Sequence, residues 1–280
     1  MRDQSRAIQS SVWAIRLALF SVAIVLLTIL FHRIFGMGTL VALNLFKLAF
    51  AGAALVLLIG LFALVRIWQR GWRGGSNAVT GMVLAAFILA WPLSVVPSLK
   101  RYPVINDVTT DLRNPPQFLL LAGKRPRGAN PMAYPGPEFA EQQQEAYGDL
   151  GSISVDRPAS ETIELARQAM KKLRMTIAGV VPVDAKGSGW GQVEAVDRTL
   201  VLGYYDDVVV RVTRVRGGSR VDVRSASRFG KSDLGRNATR IRQFHTELVA
   251  RVQATVPARG SRQRRSARRR PASKRRSKRK

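Results

Sequence analysis

The sequence predicts an α+β domain, an antiparallel sheet with two packed helices in the order β-α-β-β-β-β-α, preceded by an all-α transmembrane region of three helices. Three observations predict it. Long uncharged apolar runs fill the first hundred residues, β-rich runs separated by short turns fill residues 175–227, and segments of helical period flank those runs. The 280 residues carry 45 Lys+Arg against 18 Asp+Glu, a net charge of +27, yet 46% of them are hydrophobic. A basic chain that is also this apolar must keep charge and apolar surface in different stretches.

The stretches divide accordingly. Residues 1–99 hold eight basic residues and one acidic, residues 100–258 hold 24 and 17, and residues 259–280 hold 13 and none. The boundaries expected are a membrane anchor over 1–99, a soluble α+β domain over 100–255 and a disordered Arg/Lys-rich tail over 256–280. With no cysteine, disulfides and thiolate zinc sites are excluded, and with only His32 and His245 so is a histidine-rich metal site.

Spanning helices are expected at about 12–31, 45–65 and 78–96. Each reaches the ~20 apolar residues that a bilayer requires, because no water in its core satisfies a backbone group. Arg33 follows the first run directly and no A-x-A site lies just beyond it, so the run reads as an uncleaved anchor. Arg2, Arg6, Arg16, Arg66, Arg70 and Arg73 fall on one side of the membrane; Arg33, Lys100 and Arg101 fall on the other, with Lys47 and Arg113 on a generous count. The positive-inside rule then places the N-terminus in the cytoplasm and the large domain outside it.

Residues 102–147 are rich in Pro and Gly and read as an extended segment laid across a folded body. Strands are expected at Ser152–Asp156, Met175–Val183, Gln192–Thr199, Leu200–Tyr205, Val208–Val215 and Arg220–Ser227. Ser160 is expected to cap a helix carrying Ile163, Ala166, Met170 and Leu173 on one face, and a last helix spans about Asp233–Val252. Gly217-Gly218 suits a two-residue hairpin turn. Closed by Arg216 and Ser219, that hairpin sets Val212 against Val223, Val210 against Ser225 and Val208 against Ser227 on its core side. Its other side sets Thr213 against Asp222, Arg211 against Arg224 and Asp207 against Arg228. Facing arginines repel, so an acid or an anion must lie between them. Asp222 is one answer, and a ligand carboxylate or phosphate is the other.

Two stretches resemble the bacterial domain-of-unknown-function 1499 family: Ile105-Asn106-Asp107-Val108-Thr109-Thr110-Asp111 with Pro115-Pro116-Gln117-Phe118, and Val221-Asp222-Val223-Arg224-Ser225-Ala226-Ser227-Arg228 with Gly230, Ser232-Asp233-Leu234-Gly235, Asn237, Arg240-Ile241 and Phe244. Asp206-Asp207-Val208-Val209-Val210-Arg211 fits its central strand. The resemblance covers roughly residues 100–252 and implies a frequently membrane-anchored domain without an established activity.

Read physically, Ser232 or Asp233 caps the last helix, and Asn106, Asp107, Thr109, Thr110 and Asp111 pin their segment by local turns. Asp207, Ser225, Ser227 and Asn237 complete the set of ordering residues. A cation cluster of Asp107, Asp111, Asp206, Asp207 and Asp233 lacks the ligand spacing of a calcium loop, so neither metal nor cofactor is expected. Ser225 or Ser227 with His245 forms a triad in name only, and no catalytic residue is assigned. The Gly-rich Lys186–Gly191 stretch reads as a hairpin turn rather than a phosphate loop.

The function expected is that of a non-enzymatic envelope protein binding a protein or anionic ligand, through Arg211, Arg224, Arg228 and Arg240 with Asp222. Its partners are the bilayer, an unknown protein and, through residues 259–280, anionic headgroups or an envelope polyanion. The tail has no aromatic residue to stack bases, which disfavours specific nucleic-acid binding. Two alternatives are an envelope hydrolase or transferase using aspartates and a cytoplasmic polyanion binder working through the tail.

Overall fold

The computed structural model describes residues 2–72, 74–184 and 189–255, with side chains from residue 9 onward. Met1, Arg73, residues 185–188 and the basic tail over 256–280 lie outside the described residues, and so do the readings made on them.

Three helices form the N-terminal bundle: α1 (Arg2–Ile34), α2 (Thr39–Arg70) and α3 (Gly75–Arg101). Stretches of 26, 32 and 27 residues in them are long and apolar enough to cross a membrane, which makes this a membrane protein. Small residues set the packing distance. Ala14, Ala18, Ala49, Ala53 and Ala85 are fully buried, and a Cβ on Gly81 would come within 3.0 Å of the Ala14 backbone. Large residues such as Leu58 and Phe87 point outward instead, as lipid-facing side chains do.

Among the described residues the α+β domain has one sheet of six strands: β1 (Asp107–Thr109), β2 (Ile153–Val155), β3 (Thr176–Val181), β4 (Trp190–Arg198), β5 (Tyr205–Val215) and β6 (Gly218–Ser227). Their order is β1-β6-β5-β4-β3, with β2 beside β1 on β6, and every pairing is antiparallel. The helices are α4 (Pro137–Ala146), α5 (Ala159–Lys172) and α6 (Arg236–Thr255). One face of the sheet, made by Val193, Ala195, Val208, Val210, Val212, Val221 and Val223, packs on Ile163, Ala166 and Met170 of α5 and Ile241, Phe244 and Leu248 of α6. Removing this apolar surface from water is the main drive for the domain to fold.

Several expectations need correction. Residues 105–111 do more than turn, because their middle pairs as β1 with β6. Leu200–Tyr205 is not a strand; residues 200–204 are the turn joining β4 to β5. Ser160 is not a cap, since α5 starts right after Pro158, whose fixed φ suits a helix entrance. The β5–β6 hairpin closes on Val215 and Gly218, which moves its register by two residues. Arg211 therefore lies opposite Asp222, not Arg224, and Val212 lies opposite Val221. A shift of two keeps every side chain on its expected face. Its cause is local: Gly217 takes the positive φ of the turn, and Gly218 is needed in the strand, where a Cβ would overlap the carbonyl oxygen of Val155 on β2.

Candidate functional site

The other face of the sheet carries the charge. Along β6 it presents Ala226, Arg224, Asp222 and Arg220; along β5 Asp207, Val209, Arg211 and Thr213; along β4 Val196, Glu194, Gln192 and Trp190. The proline-rich segment 110–136 lies across this face as a strap. Prolines and irregular backbone keep the strap from joining the ladder, so its buried peptide groups need other partners. The sheet's charged side chains supply them. Glu194, fully buried, accepts from the backbone N–H groups of Leu119 (2.6 Å), Leu120 (3.0 Å) and Leu121 (2.9 Å). Arg224 donates to the carbonyls of Pro116 (3.1 Å) and Met132 (2.7 Å), and Arg125 donates to those of Asn130 and Pro131.

Each guanidinium is neutralised from within. Arg224 forms a two-pronged pair with Asp107 at 2.9 and 2.7 Å and lies 4.9 Å over the Phe118 ring. Burial is the main influence on Asp107 and raises its pKa against the opposing pull of Arg224. Burial likewise lifts the nearby Tyr134 hydroxyl to about 12, helped by the Asp107 charge. Asp207 takes Arg125 on one oxygen and Arg228 on the other. Arg240, on α6, joins Asp197 and Asp206 at 2.6 Å each and donates to Ser225 and Asn237. Burial opposes its charge, but Asp206 and Asp197 outweigh burial and raise its pKa.

The ordering residues behave as the motif suggests. Asp233 caps the start of α6, accepting from the N–H groups of Gly235 and Asn237, while burial raises its pKa. Ser232 accepts from Leu234, and Asn106 donates to the carbonyl of Gly230. Thr110 bonds the backbone of Val223 in both directions, and Asn237 links Ser225, Ser227 and the Asn106 carbonyl. Ser225 and Ser227 are thus engaged by Asn237, and Nε2 of His245 has no hydrogen-bond partner, so no triad forms. Nor do the five aspartates converge: Asp107, Asp111, Asp206 and Asp207 go to arginines and Asp233 to backbone.

The four arginines expected to face a ligand are instead turned inward, with side chains at most 13% exposed. The exception nearby is one that sequence reasoning passed over. Arg220 donates to Asp111 (2.6 Å) and Asp222 (3.0 Å), carboxylates it shares with Arg211, yet its side chain is 42% exposed. Asp222 also accepts from Ser152 and is itself buried. This quartet borders an open cleft of about 530 Å³ whose lining includes Leu119, Trp190, Gln192, Thr213 and Val215. A larger hollow, about 730 Å³, opens between the start of α5 and the β5–β6 turn; its lining includes Asp156, Arg214 and the Arg157–Glu161 pair at 3.1 Å.

A family model described as Protein of unknown function (DUF1499) matches residues 107–248, from β1 to the last turns of α6. The chain belongs to that family. The DUF1499 match thus covers the charged face, its arginines and the cleft, and leaves the helical bundle outside it. A comparison with curated proteins finds no match.

Proposed function

We propose that this DUF1499 protein is a non-enzymatic binding module of the bacterial inner membrane. Its N-terminus is cytoplasmic, its domain faces the extracytoplasmic side, and the cleft beside Arg220 receives an acidic polypeptide segment. The observation that carries the reading is the half-exposed guanidinium of Arg220. Two carboxylates hold it rigid while using two of its five N–H donors, and the remainder is open to a carboxylate brought by a ligand. Leu119, Trp190 and Val215 add apolar wall, and about 530 Å³ lies within the range of ligand sites. Asp111 and Asp222 meet in the same cleft, which is what a hydrolase would need. Both are already engaged by arginines, which favours binding over proton transfer.

The orientation rests on the basic residues at the far end of the bundle, Arg16, Arg66 and Arg70 among them. Alkaline phosphatase fused after Val252 is expected to be active, and a fluorescent protein there dark; the reverse overturns the orientation. For the cleft, a photo-crosslinker replaces Val215 in the full chain in nanodiscs, with Thr246 on α6 as the control position. A fluorescent hexaglutamate peptide is expected to label Val215 and not Thr246, and R220A is expected to abolish the labelling. Equal labelling at both positions, or labelling that survives R220A, overturns the binding reading.

A further inference from the structure

The turn between β4 and β5 reaches back to the bundle. Arg198 Nη2 donates to the carbonyls of His32 (3.2 Å) and Arg33 (2.9 Å), two of the groups that the last turn of α1 leaves without helical partners. Arg33 donates in turn to the Thr199 carbonyl at 3.1 Å, and His32 Nδ1 lies 2.7 Å from the Leu202 carbonyl oxygen. Nε2 of His32 meets the Thr39 hydroxyl at 3.1 Å, and its ring stands edge-on to Tyr204. These contacts fix the depth of the turn. Thr199 and Leu202 lie level with residues 32–33, at the end of the apolar run of α1.

What the turn presents at that depth is apolar. Leu200 is 80% exposed and Val201 60%, whereas Val193 of β4 and Val208, Val209 and Val210 of β5 are buried. On the adjoining helix end, Ile34 and Phe35 are exposed to a similar degree. Large side chains this bare on a polar-rimmed turn mark a surface meant for another phase. Continuity with α1 says which phase.

We propose that the β4–β5 turn is a second membrane attachment of the domain. Leu200 and Val201 enter the headgroup–acyl boundary of the leaflet in which α1 ends, and the occupant of this apolar tip is the lipid bilayer. Arg198 and Arg33, on either side of the tip, stay at the polar boundary, where cationic side chains are favoured. The placement holds for either orientation of the chain, because it depends only on where α1 leaves the bilayer.

The absence of cysteine makes the test clean. L200C, V201C and, at the opposite end of β5, R216C each receive a single environment-sensitive nitrobenzoxadiazole label in the full chain. The labelled proteins are reconstituted in vesicles of phosphatidylcholine and phosphatidylglycerol carrying doxyl groups at acyl carbon 5 or 12. Thermal unfolding of each labelled variant is compared with the parent, and a position that fails to fold is replaced by its neighbour in the turn. The label at 200 or 201 is expected to emit blue-shifted and to be quenched at least twofold more by the shallow doxyl than by the deep one. The label at 216 is expected to emit as in water. Emission and quenching at 200 and 201 that match those at 216 overturn the proposal.

Discussion

Arg224 sits where the strap, β1 and β6 meet, and its replacement by methionine separates two roles. The methionine keeps much of the volume but leaves Asp107 charged and buried and the carbonyls of Pro116 and Met132 without their donor. Breaking a buried pair from one side costs about 3–5 kcal/mol, mostly through the stranded charge. R224M is therefore expected to lower the thermal midpoint of the domain sharply, and adding D107L to recover part of that loss. A single R224M as stable as the parent contradicts the account. The side chain was legible in the sequence only in part. Its need for an acid was evident, but the acid proved to be Asp107 on β1, 117 positions away, rather than Asp222. Glu194 was not legible at all, because nothing local shows that a strand carboxylate receives three amide groups from a strap 75 residues earlier.

The β5–β6 hairpin shows how a correct pattern can accompany a wrong register. Alternation alone identified the core face, since Val208, Val210, Val212, Val221 and Val223 all point to α5 and α6. Two adjacent glycines left the position of the turn open, and β2, distant in sequence, decided it. Gly217 needs its positive φ but has open space where a Cβ would go. G217A is expected to cost about 1–2 kcal/mol, the penalty of a left-handed residue. G218A drives a Cβ into the Val155 carbonyl, so its cost is expected to be the larger of the two. It is also expected to release β2, seen as faster amide exchange at residues 153–155. Equal losses in G217A and G218A would mean that β2 does not fix the register.

Across the whole molecule, the two halves were each readable by composition, and their junction was not. Apolar runs announce spanning helices and alternating runs announce a sheet, but no local pattern tells that an arginine at the end of β4 serves the last carbonyls of α1. That placement has an electrostatic reason, since a cation at a helix C-terminus opposes the negative end of the helix dipole. Hydrogen bonds to a charged group contribute about 1.5–3 kcal/mol, enough to favour one docked arrangement of domain and bundle. R198A is expected to leave the fold of each half intact while loosening the junction. Spin labels on S94C of α3 and T246C of α6 report it, because the parent chain has no competing thiol. The parent is expected to give one narrow distance distribution and R198A a broad one, with the thermal midpoint of the domain little changed. An unchanged narrow distribution in R198A would leave the junction to the contacts of His32 with Leu202 and Tyr204, the Arg33–Thr199 bond and the connection from α3.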